Sequence, residues 1–157
     1  MIRKVISGGQ TGADIAGLKA AQFCGLETGG WMPCGFKTQV GNKPEYEVLY
    51  GMQQTDSEMY TTRTILNVAQ SDAAIRFAKN WTSPGEMLTL KAINEFKRPH
   101  FDVSYGIYTE IPQVLAWLLK NGVKTLNVAG NSERIYPGME DFVFDYLVEL
   151  FSLQKIV

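Results

Sequence analysis

From residue 4 to residue 150 the chain alternates two hydrophobic rhythms. Short apolar runs, the first of them β-branched, are separated by longer stretches in which apolar positions recur every three or four residues. Runs of the first kind predict strands, and stretches of the second kind predict helices. Residues 4–7 form the first strand. Ala13–Phe23 is the first helix, with Ile15, Ala16, Leu18, Ala21 and Phe23 as its apolar stripe and Gly25 as its stop. Glu27–Met32 is a short second strand interrupted by Gly29 and Gly30, and the Gly/Pro/Lys-rich residues 33–44 form a long loop, of the kind that often carries function. Thr55-Asp56-Ser57-Glu58 has capping-box spacing and opens a helix through Ile65, Leu66 and Ala69. A strand at Ala73–Ala78 follows. Ser83-Pro84-Gly85-Glu86 then starts a helix with the stripe Met87, Leu88, Leu90 and Ile93. Residues 100–103 are a strand, and Ile111, Val114, Leu115 and Leu118 lie at helical spacing before the stop at Asn121-Gly122. Residues 125–129 are the last strand; Phe142, Tyr146, Leu147 and Leu150 mark the buried face of the last helix. Strands this apolar, alternating with helices, predict an α/β fold: a doubly wound, mainly parallel sheet with helices on both faces, in one domain over residues 1–157.

Composition narrows the function classes. With 157 residues and 45% hydrophobic content, the chain can bury a core that needs neither disulfide nor metal. A net charge of −1 supplies no basic field for duplex nucleic acid. Cys24 and Cys34 lack CxxC spacing and have one histidine, His100, for company, so no zinc site is expected; His100 itself reads as structural. No signal-peptide core and no membrane-length apolar run occurs, which predicts a cytoplasmic protein without a membrane partner.

The candidate chemistry lies where strands end. In a doubly wound sheet, ligands bind beyond the carboxyl ends of the strands. Four loops stand out there: Gly8-Gly9-Gln10-Thr11-Gly12-Ala13-Asp14; Gly29-Gly30-Trp31; Thr82-Ser83-Pro84-Gly85; and Gly130-Asn131-Ser132-Glu133-Arg134. The first places three glycines where a strand passes into a helix. Glycine permits positive φ and close approach to the backbone, and a helix N-terminus presents free N–H groups, so a phosphate is the expected guest. On that reading a valine at Gly9 blocks binding and leaves the fold intact. Arg63 and Arg134 are the candidates for phosphate pairing, because a guanidinium is a planar two-pronged donor. Simpler roles exist for several of these residues. Ser83, Pro84 and Glu86 fit an ordinary capping box, Asp14 fits a helix dipole, and Trp31 suits either a core or a base-stacking surface.

The runs "ISGGQTGAD", "GGWMPCG", "YTTRTILNVAQSDAAI" and "LNVAG" together resemble the putative molybdenum carrier family, a branch of the superfamily of molybdenum cofactor carriers and lysine-decarboxylase-like proteins. The resemblance covers about the whole chain. It implies a Rossmann-like sheet and a nucleotide-like or molybdenum cofactor-like ligand, a pterin bearing a phosphate (molybdopterin), at the glycine loop. Within the same superfamily the chain is fainter in its similarity to the cytokinin-activating phosphoribohydrolases, which carry an arginine upstream of an Ala-Asp-Ala strand and then PGGxGTxxE. Arg63, Pro84, Gly85 and Thr89 match that pattern; Glu86 and Leu88 replace two glycines, and Ala92 replaces the glutamate. Cleavage of an N-glycosidic bond needs a carboxylate beside the ribose, and alanine supplies none.

The expected protein therefore binds a phosphorylated small molecule without transforming it, through Gly8, Gly9, Gln10, Thr11, Gly12, Asp14, Gly30, Trp31, Arg63, Ser83, Pro84, Gly85, Thr89, Gly130, Asn131 and Arg134. No catalytic or metal-ligating residue is assigned. The alternative is a nucleoside 5'-monophosphate phosphoribohydrolase in which Glu86 or Asp14 replaces the missing acid. Further copies of the chain, as a dimer or tetramer, are the other expected partner.

Overall fold

A computed structural model describes residues 1–107 and 109–157. The elements run in the order β1 (Lys4–Ile6), α1 (Ala13–Phe23), β2 (Glu27–Met32), β3 (Lys37–Thr38), β4 (Gly41–Asn42), α2 (Tyr46–Tyr50), β5 (Met52–Gln54), α3 (Tyr60–Ala69), β6 (Ala73–Ala78), α4 (Pro84–Phe96), β7 (His100–Ser104), α5 (Ile111–Lys120), β8 (Thr125–Gly130) and α6 (Met139–Gln154). Six strands form one sheet in the order β5-β2-β1-β8-β6-β7, and every pairing in it is parallel. From β1 the chain winds outward through β2 to β5, then crosses to β6 and β7 and returns to insert β8 beside β1. The direction of winding thus reverses at the centre of the sheet, and that is where the strand ends leave a crevice.

Alternation along β6 divides the core. Ala73, Ile75 and Phe77 point into the cluster shared with α1, α5 and α6, whereas Ala74 packs with Val68 of α3 and with Ala92 and Ile93 of α4. The larger face holds Val5, Val103, Leu126, Val128 and Leu147, all fully buried. Helix α1 is buried along most of its length, and its small residues follow from that position: at Gly17 a Cβ would sit 2.7 Å from Val128.

Five features depart from the sequence reading. Residues 33–44 are not a plain loop, since β3 and β4 pair there as an antiparallel hairpin. Helix α2 and edge strand β5 were not expected: one is a single short turn, and Met52-Gln53-Gln54 has only one apolar residue to mark it. The Thr55–Glu58 box does not form. Thr55 Oγ1 is bonded to Ser57 instead, accepting from its N–H at 3.2 Å, and α3 starts later, after Met59, with no side-chain cap. Phe23 is 72% exposed rather than part of the stripe, resting edge-on against Phe144. The buried face of α4 is Glu86, Thr89, Ala92 and Ile93, while Met87 faces outward. Two of those four inward residues are polar, because the start of α4 borders the crevice and not the core.

Candidate functional site

The loops after β1, β6 and β8 meet at the carboxyl end of the sheet around a pocket of about 340 Å³. Ten of the sixteen expected residues line it: Gln10, Thr11, Asp14, Arg63, Ser83, Pro84, Gly85, Thr89, Gly130 and Asn131. Gly8, Gly9, Gly12, Gly30, Trp31 and Arg134 are not in its wall.

The first loop carries the largest correction. Its glycines make room for the chain itself. A Cβ on Gly8 would fall on the Arg63 guanidinium, one on Gly9 would lie 2.7 Å from Met32 Sδ, and one on Gly12 would strike the Asn131 carbonyl. Gly9 and Gly12 also hold φ of 68° and 79°. A valine at Gly9 is therefore a folding lesion, and does not leave the fold intact. The anion that this turn receives is the chain's own Asp14 carboxylate. Asp14 Oδ2 accepts from the Gln10 N–H at 3.3 Å and pairs with Arg63 Nη1 at 3.1 Å. The Asn131 carbonyl accepts from the Ala13 N–H at 3.1 Å, so the start of α1 is occupied too. Asp14 is buried, and burial raises its carboxyl above the ordinary range against the pull of Arg63 and the Gln10 N–H.

The second loop belongs to strand β2. Gly30 lets the backbone pass close to Ser7, and Trp31 is tied to α3: its N–H donates to Asn67 Oδ1 at 2.9 Å and its Nε1 to Gln70 at 3.0 Å. Arg134 lies exposed beyond the pocket, where Ile135 takes the wall position.

The third loop is open. Helix α4 has thirteen residues with Pro84 in its first turn, and no side chain caps it. Its first-turn N–H groups at Gly85 and Glu86 have no intrahelical acceptor. A Cβ on Gly85 would meet no atom within 4 Å. The expected capping box fails because Glu86 turns inward, where Asn131 Nδ2 donates to its Oε2 at 3.4 Å. Asn131 also fixes the β6–α4 connection: its Oδ1 accepts from the N–H of Lys79 at 2.9 Å and of Asn80 at 3.0 Å, and its Nδ2 donates to the Asn80 carbonyl at 2.9 Å. Glu86 is 3% exposed and its Oε1 has no hydrogen-bond partner among the described residues. Burial, then the charge of Asp14, push its carboxyl up to about 7 against Arg76, Asn131 and Arg63.

Sequence reasoning missed Gln39, Tyr60 and Thr61 as pocket residues, and placed Glu86 either in a capping box or, in the hydrolase alternative, as the acid. Gln39 comes from the β3–β4 hairpin, which is tied to the first loop by Gln10 Nε2 donating to the Lys37 carbonyl (2.9 Å) and Thr11 Oγ1 donating to Gln39 Oε1 (2.8 Å). The Lys37 ammonium and the Arg63 guanidinium both lie over the Tyr60 ring, 5.6 and 5.7 Å from its centre. The polar residues Glu86 and Thr89 at helical spacing on the inward face of α4 were the available signal.

Among the described residues, no cluster of three or more His, Cys, Asp or Glu side chains could hold a metal ion, and no helix is long and apolar enough to cross a membrane. Cys24 and Cys34 are both free thiols.

No curated protein matches the chain. Among solved structures, a crystal structure of a putative molybdenum carrier protein from Syntrophus aciditrophicus is similar at a TM-score of 0.85 and 30% sequence identity, over 96% of this chain and 94% of that one. That likeness bears out the resemblance drawn from the sequence motifs and the doubly wound α/β, Rossmann-like fold. The sequence profile of the circularly permutated YpsA SLOG family matches residues 5–151, and the chain belongs to that family.

Proposed function

We propose that this protein binds a phosphorylated small molecule, holding it without chemical change. The phosphate sits on the N-terminus of α4 rather than on the glycine loop before α1. The observation that carries this reading is the uncapped start of α4: its N–H groups and the bare face of Gly85 open into the pocket, whereas the chain itself fills the start of α1. Ser83 adds a hydroxyl, the Arg63 guanidinium borders the same space while paired with Asp14, Thr89 donates to the Gly85 carbonyl and so backs the first turn, and the Tyr60 ring with the amides of Gln10 and Gln39 forms a surface for a planar heterocycle.

A nucleoside monophosphate fits these groups, and so does the phosphate end of molybdenum cofactor. The Syntrophus aciditrophicus protein's description as a molybdenum carrier supports the second. Gln10 Oε1, buried and without a hydrogen-bond partner among the described residues, suits a pterin amino group. Neither cysteine lines the pocket, so the chain's part would be to hold the phosphate and ring, with any molybdenum carried by the pterin's own ligands.

The pocket's two carboxyls, Asp14 and Glu86, favour a second reading, N-glycosidic hydrolysis with Glu86 as the acid. Ala92 cannot be the restored acid site: it is buried against Val68 and Ala74 rather than facing the pocket. Both readings are tested by incubating the protein with AMP. Holding predicts a ligand-dependent rise in melting temperature, no free adenine, and at least about a tenfold weaker affinity in Gly85→Ala, whose methyl enters the phosphate space without disturbing the fold. Adenine released by the wild type and lost in Glu86→Gln would establish hydrolysis instead.

A further inference from the structure

Of the two carboxyls lining the pocket, Asp14 has a guanidinium partner and Glu86 has none among the described residues. The charges facing Glu86 come from three neighbouring elements. Asp14 on α1 is paired with Arg63 on α3. Arg76 on β6 commits its guanidinium to Asp102 on β7, at 2.9 and 2.6 Å, and reaches Glu86 only at the main-chain carbonyl, at 3.3 Å. The loop after β8 contributes the neutral amide of Asn131. Each of these charged groups has a partner of opposite sign, so an ionised Glu86 would add an unpaired negative charge to the pocket wall. Its Oε1 is enclosed and has no hydrogen-bond partner among the described residues, although the residue belongs to the first turn of α4, beside the free N–H groups.

We propose that Glu86 meets the ligand's anionic group as the neutral carboxylic acid, donating its O–H to a phosphate-type oxygen at the start of α4, so that each anion bound brings one proton into the pocket. This rests on reading the pocket as a phosphate site. An ionised Glu86 would put a second uncompensated negative charge beside the anion in a poorly hydrated wall. The protonated acid removes that repulsion and satisfies the orphaned oxygen in one step. Burial and the charge of Asp14 hold the carboxyl near 7, so the proton is readily taken up around neutral pH.

Calorimetric titration of the whole chain with sulfate, whose charge is constant across the range, isolates the protein's proton. Affinity should fall by about thirtyfold between about pH 6 and about pH 8.5, and at the higher pH the heat should depend on the buffer's ionisation enthalpy with uptake of close to one proton per anion. Glu86→Gln should keep its affinity across the range and take up no proton. Equal sulfate affinity at both pH values, with no proton uptake, overturns the proposal, as does a pH dependence that persists in Glu86→Gln, which would give the proton to Asp14. The wild-type proton count stands even if that variant fails to fold. Should neither sulfate nor AMP bind at about pH 6, the phosphate reading itself falls; binding of either without a linked proton removes only the role of Glu86.

Discussion

Two turns in this molecule look alike in sequence and differ in what fills them. At both the chain leaves a strand and enters a helix with glycine close by: Gly8, Gly9 and Gly12 before α1, and Gly85 as the second residue of α4. At the first turn, Arg63, Met32 and the Asn131 carbonyl occupy the space beside Gly8, Gly9 and Gly12, and Asp14 supplies the anion. At the second, Gly85 borders open space and no side chain caps the helix. A glycine at a strand-to-helix turn therefore signals that something comes close to the backbone, without saying whether the visitor is a ligand or the protein.

The sharpest test of this contrast is a pair of valine substitutions. Gly12→Val meets the Asn131 backbone at a φ of 79°, and should destabilise the protein by about 3 kcal/mol or more, seen as a fall in Tm of roughly 10 °C. Gly85→Val, facing open space, should leave the Tm near wild type. Equal damage from both would erase the distinction.

The next effect is on pH. The Glu86 carboxyl stands at about 7 in the folded protein against 4.5 unfolded, so between those values the folded state holds a proton that the unfolded state has lost. Stability from this group is present at the acid end of that window and is lost as pH rises through it, a decline on the order of 3 kcal/mol. Asp14, also raised, contributes with the same sign. Denaturant titrations from about pH 4.5 to about pH 8 should show the decline in the wild type and a shallower one in Glu86→Gln. A stability that rises across the window would remove Glu86 from the enclosed position in which it is described.

The smallest effect is expected at Arg134. It is exposed and outside the pocket wall, so Arg134→Ala should change AMP affinity by no more than about twofold. A larger loss would mean that the fourth loop folds over the ligand.

Much of the architecture was legible because it is written in local spacing. The short apolar runs at β1, β6 and β8 and the helical stripe of α5 need no partner to be recognised, and their alternation implies a parallel sheet. Boundaries and small elements were less legible. Thr55 and Ser83 each had capping chemistry available and neither caps, since Thr55 bonds within its own turn and Glu86 is drawn to Asn131 across the sheet. The β3–β4 hairpin has two-residue strands, too short for any period to show.

By itself, the sequence determined the alternation of strands and helices, the family, and the loops at which polar residues would gather, because those depend on near neighbours and on the rule that ligands sit beyond parallel strand ends. Only the tertiary structure decided which of those loops is open. Whether Asp14 or a ligand fills the first turn, and whether Glu86 caps a helix or faces a pocket, depends on Arg63, Asn131 and Arg76, which the folded chain brings from distant positions to within hydrogen-bond reach. Local pattern carries no information about such encounters, and in a low-dielectric interior they decide where charge can reside.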